Sequence, residues 1–232
     1  MPHTHIANSP KPFEIVFEDA AIIVLNKIAK ILVQPSPRNE KHTLTSLLEK
    51  ERGLKVWPCH RLDRETTGLI VYARSQSLQE KVMDLFRERK VQKRYLAFVK
   101  GAMRQASGVM EGYIIDKEGR RFGEKPKKAK TLYRCLARSC DISVIELTPL
   151  TGRTNQLRIQ LAKIGNPILG ERTYAFGRDF TLNFKRLALH AFFLRFEHPQ
   201  HHRSLTFQIP IAPDMRQFLK EINITIPPGI IT

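Results

Sequence analysis

The sequence predicts an α+β fold in which a mixed, largely antiparallel sheet is flanked by helices. Stretches with strand character outnumber stretches with helical periodicity, and most of them follow one another directly along the chain. A doubly wound parallel sheet would alternate strands with helices instead. The chain has 232 residues, of which 42% are hydrophobic, so it can bury a sizeable core and we expect a single domain over residues 13–232.

The first third of the chain predicts a tail, a hairpin, two helices and a buried strand. Residues 1–12 carry three prolines and no apolar periodicity, which indicates a flexible tail. The run FEIVFEDAAIIVLNK breaks at a polar step between two β-rich halves, as a hairpin does. Thr43 and Gly53 suit the two ends of a short helix, and Ser75 suits the N-cap of a second helix. The run LIVY at 69–72 predicts a strand between these helices.

The rest of the chain predicts further strands and two more helices. VQKRYLAFVKG predicts a strand followed by a basic connection, and TLYRCLARS with DISVIELTPL predicts an antiparallel pair. A helix is expected from an N-cap at Thr154 to Gly165, with Leu157, Leu161 and Ile164 facing inward. LALHAFFLRF and SLTFQIP predict the last strands, and an amphipathic helix is expected around 214–222.

The charge balance points to a polyanionic partner. Lys and Arg total 39 against 22 Asp and Glu, so the formal net charge is +17 and the pI is about 10.1. This excess alone leaves RNA, DNA, an anionic membrane and plain solubility open. The sequence contains no run of about 18 apolar residues and no signal-peptide pattern at its start, so we expect a cytoplasmic protein without membrane contact. Neither GxGxxG nor GxxxxGK[ST] occurs, so no nucleotide cofactor is expected, and we expect a monomer.

The cysteines and a histidine cluster carry no clear metal signature. Cys59, Cys135 and Cys140 are odd in number and lack CxxC spacing, which favours reduced thiols over a disulfide framework or a thiolate zinc site. The HPQHH segment at 198–202 could in principle hold a metal ion, but its turn-like sequence lacks helical ligand spacing. We therefore interpret it as a solvated loop and expect no metal site.

Two polar segments stand out from the predicted sheet. HRLDRETTG at 60–68 places five charged or titratable residues before a turn that leads into the buried LIVY strand. Packing alone rarely requires such a start, although a salt-bridged turn capped by Asp63 would also explain it. TPLTGRTNQLR at 148–158 places Arg158 one turn inside a helix, beside an apolar stripe. A cation so close to the core requires a carboxylate partner, which the sequence alone does not name.

Four blocks of the sequence resemble RluA-type pseudouridine synthases. HRLDRETTG resembles the family's HRLDxxTSG, and KRYLAFVKG at 93–101 resembles its KxYxAxVxG. TGRTNQLRIQLAKIGNPILGERTYA at 151–175 resembles TGRxHQxRxHxxxxGxPxxGDxxYG, and RLALHA at 186–191 resembles the closing RLxLHA. The blocks occur in the family's order. The resemblance implies the pseudouridine synthase fold with a central catalytic cleft, in a stand-alone catalytic domain without the S4-like RNA-binding domain of many relatives.

The resemblance implies an enzyme that isomerises uridine to pseudouridine in ribosomal or transfer RNA without a cofactor. Uracil is detached from its ribose, rotated and reattached through carbon. Asp63 is implied as the nucleophile, Arg158 as its ion-pair partner and Tyr95 as the ring that stacks on the target base. Three roles stay open for the carboxylate: attack on the anomeric carbon, abstraction of a ribose proton, or attack on the base. Tyr95 could instead be a cross-strand aromatic residue.

Further residues are implied as substrate contacts, because the target uridine must be flipped out of the folded RNA. Arg61 either fills the gap left in the base stack or contacts a phosphate, and Leu189 is either a pocket wall or an ordinary core residue. His60, Arg64 and Arg153 complete the expected substrate-binding set. The segment Lys117–Arg138, with nine Lys or Arg against two acidic residues, is expected to follow the RNA backbone.

Four positions depart from the family pattern. Thr67 stands where the family usually has Ser, Asn155 and Gln160 stand where it has His, and Glu171 stands where it has Asp. All four keep hydrogen-bonding capacity, so they alter RNA contacts more than the chemistry. Two other classes of protein compete with this interpretation. A ribosomal-type RNA-binding protein would leave the Asp63, Tyr95 and Arg158 set unused, and a nucleic-acid glycosylase would release the base.

Overall fold

The computed structural model describes residues 11–36, 39–115, 125–175 and 184–231, so nearly all of the expected tail at 1–12 lies outside the described residues. In chain order the strands are β1 Phe13–Glu18, β2 Ile22–Lys27, β3 Trp57–Pro58, β4 Thr67–Ala73, β5 Gln92–Lys100, β6 Ser107–Ile114, β7 Lys127–Arg138, β8 Ile142–Pro149, β9 Leu189–Glu197 and β10 Ser204–Gln208. The helices are α1 Leu44–Arg52, α2 Gln76–Arg87, α3 Gln156–Lys163, α4 Pro213–Glu221 and α5 Pro228–Ile231.

The strands of the described chain form one mixed sheet. Its main path runs β1-β2-β4-β9-β5-β8-β7-β6, with β10 beside β9 and β3 beside β4. Strands β4 and β9 pair in parallel, and the remaining pairs are antiparallel. The predicted α+β fold with a mixed, largely antiparallel sheet is therefore confirmed.

Local sequence signals explain the first two helices. Thr43 accepts a hydrogen bond from the Ser46 amide while the Ser46 side chain bonds back to the Thr43 amide, which forms a capping box. Gly53 then ends α1 with a φ of +67°, in the left-handed region that glycine adopts without strain. Ser75 caps α2 by accepting from the Leu78 amide. The predicted caps of both helices are confirmed.

The sheet is covered on both sides, which places the core in two layers. On one side, Phe98 of β5 packs against Phe218 of α4 with ring centroids 5.8 Å apart. On the other side, Leu44 and Leu48 of α1 pack against Ile70 of β4 and its neighbours. Strand β4 is consequently buried along its whole length, as expected for a central strand covered on both faces.

One short parallel contact joins two of the family-like blocks. Thr67 and Gly68 lie opposite His190 and Ala191 across β4 and β9. Gly68 has a φ of +113°, and a Cβ atom there would lie 2.2 Å from the Ala191 carbonyl oxygen. Glycine is therefore required at position 68 for β9 to approach, which fixes the end of the HRLDRETTG segment against the sheet.

Three sequence predictions about strand β6 and helix α3 are wrong. The stretch interpreted as a basic connection contains strand β6, the edge strand of the described sheet. The N-cap of α3 is Asn155 rather than Thr154, because Asn155 adopts φ +52°, and asparagine tolerates that left-handed conformation. Ile164 lies beyond the last turn of α3 and is 46% exposed instead of facing inward.

The HPQHH segment is not a freely solvated loop, because His198 is buried. Its Nδ1 accepts hydrogen bonds from the backbone amides of Gln200 and His201, and its Nε2 lies 3.0 Å from Asp19 Oδ2. Nδ1 acts as an acceptor, so the proton on Nε2 is the one donated to Asp19. His198 thus ties the β9–β10 turn to the β1–β2 turn. No helix in the described parts of the chain is long and apolar enough to cross a membrane.

Candidate active-site cleft

A cleft of 770 Å³ opens where the turn before β4, strands β5 and β9 and helix α2 meet the loop before α3. It brings together parts of all four family-like blocks, which are far apart in the sequence. The lining residues whose polar or charged side chains can bind a ligand or take part in a reaction include His60, Arg61, Asp63, Thr66, Arg87, Arg89, Lys93, Tyr95, Thr151, Arg153, Thr154, Asn155, Gln156 and Arg158. Six of these are Lys or Arg and one, Asp63, is acidic, so within the described chain the cleft wall favours anionic ligands.

Asp63 lies in the turn that precedes β4. Its carbonyl oxygen accepts from the Thr66 amide at 3.1 Å, which closes a tight turn. The side chain is 24% exposed and faces the cleft, with Oδ2 3.9 Å from an Arg158 terminal nitrogen. A carboxylate held at the wall of a cleft, beside a guanidinium, remains ionised more readily than an isolated buried one. The geometry suits a carboxylate that acts on a bound substrate.

Glu171 orients Arg158 through a bidentate ion pair. The Nε and one terminal nitrogen of Arg158 form this pair at 2.6 and 2.9 Å, and its other terminal nitrogen donates to Asn155 Oδ1 at 2.7 Å. That same terminal nitrogen is the one that approaches Asp63. The guanidinium is therefore locked in plane by Glu171 and presents one edge to Asp63.

Glu171 is fully buried and is a residue whose role the sequence did not reveal. Burial alone raises the pKa of this carboxyl group, but the hydrogen bonds and charge of Arg158, with the amides of Thr173 and Tyr174, lower it below its usual value. It stays ionised inside the protein as the main counter-ion of Arg158. The only sequence signal was its departure from the family's Asp, which did not indicate a pairing 13 residues from Arg158.

Lys27, at the end of β2, is a second residue that the sequence did not reveal. It is completely buried, and its ammonium group donates to the carbonyl oxygens of Ile28, Asp63, Arg64 and Thr66 at 2.8 to 3.3 Å. Burial lowers its pKa to about 7, against the opposing charges of Asp63 and Glu65. Lys27 thus holds the backbone of the Asp63 turn in place through hydrogen bonds to its carbonyl oxygens. A lysine at the end of a strand is ordinarily exposed to solvent, so no sequence signal distinguished Lys27 from a surface lysine.

Tyr95, Leu189 and His60 line the cleft. Burial and the nearby Asp63 charge raise the pKa of Tyr95, so its phenol is neutral. His60 accepts a hydrogen bond from the Val71 amide at 3.1 Å, and burial with the Lys93 charge lowers its pKa to about 3. A neutral imidazole with one nitrogen already engaged fixes the start of the segment against β4.

The expected arginine contacts divide into two groups. Arg61 and Arg153 line the cleft and are exposed. The Arg153 Nε also donates to the Lys128 carbonyl at 3.2 Å, which connects the cleft to β7. Arg64 is exposed outside the cleft lining, and its Nε lies 3.4 Å from the Lys30 carbonyl.

Two buried glutamines connect α3 to the edge of the sheet. Gln156 accepts from Thr151 Oγ1 and the Arg153 amide, and its amide nitrogen donates to the Lys130 carbonyl and to Thr131 Oγ1. Gln160 accepts from Thr131 at 2.6 Å and donates to the Met110 carbonyl at 2.9 Å. Such a satisfied buried network holds the helix that carries Arg158 against β6 and β7.

The site combines a carboxylate, an arginine held by a buried glutamate and a cationic cleft, which suits an enzyme that acts on a polyanion. The family model described as RNA pseudouridylate synthase matches residues 21–163, which is more than half of the chain. The protein belongs to this family. It is an RNA pseudouridine synthase, an isomerase of uridine in RNA.

Relatives agree with this assignment over nearly the whole chain. It is 32% identical to tRNA pseudouridine synthase C of Vibrio parahaemolyticus, covering 90% of this chain and 94% of the relative. It is 36% identical to the dual-specificity RNA pseudouridine synthase RluA of Pasteurella multocida, covering 86% and 93%. The structure of human RNA pseudouridylate synthase domain containing 4 superimposes with a TM-score of 0.75 at 24% identity, covering 92% and 94%, which shows the same fold.

Proposed function

We propose that this protein isomerises one or a few specific uridines in ribosomal or transfer RNA, with Asp63 as the nucleophile. The observation that carries the proposal is the position of the Asp63 carboxylate, which faces the cleft beside an arginine that buried Glu171 holds in place. The names of the relatives support the substrate class, since one is a tRNA enzyme and another has dual specificity.

Each of four cleft residues has a separate role in the proposed reaction. The Asp63 carboxylate reacts with the ribose or the base of the target nucleotide, and the adjacent Arg158 cation favours its ionised form. Tyr95 offers a neutral aromatic face on which the uracil ring can stack while it turns. Leu189, on the strand that pairs with β5, adds an apolar surface beside Tyr95 that helps to exclude water. The bond from ribose to nitrogen is broken and a bond from ribose to carbon is made. That carbon gives up its proton to solvent and the freed nitrogen takes one up, so the product has the mass of the substrate.

A flipped uridine requires contacts outside the cleft as well. Extruding a nucleotide costs a few kcal/mol, which must come from binding to the surrounding RNA. Arg61 and Arg153 line the cleft and are exposed. They are placed to contact the RNA backbone or to fill the gap that the flipped base leaves in the stack. Of the basic segment Lys117–Arg138, residues 117–124 lie outside the described residues. The described part includes the exposed residues Lys125, Lys127 and Lys128, which supports a backbone-binding role.

Mapping of pseudouridine by carbodiimide-stopped primer extension tests the proposal directly. Ribosomal and transfer RNA from cells with and without the protein are compared, and the expected result is the loss of one or a few stops. Purified protein should restore the same stops in RNA from the deficient cells, without a change in nucleoside mass. Free uracil released from the RNA would identify a glycosylase instead, and an unchanged stop pattern in both RNA classes would overturn the substrate assignment.

The monomeric state and the cytoplasmic location expected from the sequence belong to the same proposal. An RNA enzyme whose relatives act on transfer RNA is expected where that RNA is used. Size-exclusion chromatography with light scattering, and fractionation of cells, test the two expectations separately.

A further inference from the structure

Lys93 is a cation of the cleft to which the proposed chemistry assigns no role. It lies near the start of β5, two residues before Tyr95, and both residues line the cleft. Arg94 between them points to the other face of the sheet, where its guanidinium lies 3.8 Å from the Phe193 ring centroid and 3.6 Å from Glu146. Because side chains alternate along a strand, Lys93 and Tyr95 lie on the same face of β5, where both can contact the same ligand.

The Lys93 ammonium group lies between helix α2 and the loop that precedes α3. It is 5.5 Å from the centroid of the Phe86 ring, which is near the end of α2. On the loop side, a Cβ atom added to Gly152 would lie 3.7 Å from Nζ, so the ammonium rests almost against the Gly152 backbone. Lys93 therefore spans the cleft between its two walls, close to Arg153.

Nothing in the described part of the chain neutralises this cation. No ion pair or hydrogen bond involves its ammonium among the described residues. Burial lowers the pKa of Lys93, and no carboxylate raises it, Asp63 included. The Phe86 ring offers a cation–π contact, which compensates only part of the lost hydration. A half-buried lysine that faces a cleft without a counter-ion is suited to bind an anionic ligand, because the ligand would supply the missing negative charge.

We propose that Lys93 binds the phosphate group next to the flipped uridine, so that Tyr95 and Lys93 hold the base and the phosphate of one nucleotide. This inference rests on the proposed function. Positions two apart on a strand are separated by about 6.6 Å, which suits a base and a phosphate of the same nucleotide. Lysine binds phosphate as a point charge, and its contact is strengthened where water is excluded.

Apart from Arg158, the other cations of the cleft fit a less selective role. Arg87 is ion-paired with Asp84 and largely exposed, and Arg61, Arg89 and Arg153 are exposed. Exposed cations contribute to RNA affinity at many phosphates, whereas Lys93 lies deep enough to select one. Lys93 is therefore a positioning residue for the target nucleotide.

A double-mutant cycle between Lys93 and single phosphates tests the inference. The probe is a short RNA hairpin whose loop carries the mapped uridine, made with natural linkages or with a neutral methylphosphonate on its 5′ or 3′ side. A 2′-O-methyl group on the ribose before the altered linkage keeps the chain intact and is also present in the natural probe. The dissociation constant is measured for wild type, Lys93→Met, Lys93→Arg and Lys81→Met. Lys81 is an exposed α2 residue outside the cleft lining.

One neutral linkage should weaken wild-type binding by about tenfold or more, and Lys93→Met should weaken binding of the natural probe by a similar factor. The two changes together should cost no more than either alone, while Lys93→Arg regains most of the affinity and Lys81→Met behaves as wild type. Independent, multiplying losses at both linkages would overturn the inference. Single-turnover conversion of the same hairpin without any 2′-O-methyl group is followed in parallel. A wild-type protein that binds with this coupling but converts no uridine would contradict the proposed function alone.

Discussion

Strands β4 and β6 show how one sheet serves two purposes. All seven residues of β4 are buried, whereas β6 alternates buried or half-buried positions with exposed ones. The first strand anchors the turn that carries Asp63, and the second lies at the edge and presents Val109, Glu111 and Tyr113 to solvent. Changes near β4 should therefore affect chemistry and stability, and changes near β6 should affect affinity for RNA.

The largest expected effect in the β4 region comes from Asp63→Asn. The variant keeps the shape of the side chain but removes its charge and nucleophilicity, so conversion should fall by about a thousandfold or more. RNA affinity should be retained, since it depends on many dispersed cations. Tritium release from uridine-labelled RNA is measured beside filter binding. Glu65→Gln, a neighbouring carboxylate outside the cleft lining, serves as the matched control and should remain active. Turnover by the Asn variant would exclude Asp63 from the reaction.

Arg158→Ala should be the most damaging change for stability. It leaves Glu171 buried without its cation, which costs about 3–5 kcal/mol of unfolding free energy by urea titration. A paired variant, Arg158→Met with Glu171→Leu, removes both charges and should recover much of that loss. Its activity should remain low, because Asp63 still lacks the adjacent guanidinium. Recovery of both stability and turnover in the double variant would show that Arg158 acts on the fold alone.

Acid should destabilise the central part of the sheet through two histidines. Burial lowers the pKa of His60 to about 3 and that of His190 to about 4, against an ordinary value of 6.5. The unfolded chain therefore binds more protons as the pH falls below 6.5, and the unfolding free energy decreases. For His190 the loss is on the order of 3 kcal/mol by pH 4.

Urea titrations at a series of pH values between 7.5 and 4 measure this dependence. His190→Gln lacks the titrating group, so its stability should decline less steeply with acid even if it starts lower. His42→Gln is the control, because His42 is exposed on the approach to α1. Equal slopes for wild type and His190→Gln would show that His190 is not held neutral by the fold.

The smallest effects are expected at the β6–β7 edge. Lys128 and Lys130 of β7 both pair with Glu111 of β6 at 2.7 and 3.0 Å, so their charges are partly compensated. Replacing both lysines by Gln should weaken RNA binding only a few-fold and reduce the slope of log affinity against log salt by about one to two. Glu111→Gln should act in the opposite direction. Turnover at saturating RNA should stay unchanged, and Lys220→Gln on α4 is the control for lost charge.

The sequence predicted the regular elements well where local chemistry decides them. The caps at Thr43 and Ser75 and the turn between β1 and β2 follow from side chains that bond to their own backbone. Strand β6 was missed because Gly108 and Gly112 interrupt its apolar pattern, although Tyr133 fills the space beside Gly108.

Only the candidate-site residues that lie in the motifs were predicted from the sequence. The resemblance named Asp63, Tyr95 and Arg158, and the structure brings these residues to one cleft. It did not name the groups that hold them. Lys27 bonds to carbonyls 36 to 39 residues away, and such backbone acceptors leave no trace in the sequence. Glu171 likewise becomes a partner of Arg158 only after the chain turns back between α3 and β9.

The contact between Thr67 and His190 has a consequence for the order of events during synthesis. Thr67 Oγ1 and His190 Nδ1 are 2.8 Å apart across a sequence separation of 123 residues, and β9 fills the place between β4 and β5. The ribosome must therefore release β9 before β4 and β5 can take their final positions, while the amino-terminal hairpin can form much earlier. A nascent chain that ends before residue 189 carries Asp63, Tyr95 and Arg158 but not the strand that brings them together. The cleft, which Leu189 of β9 lines, is thus completed only late in translation.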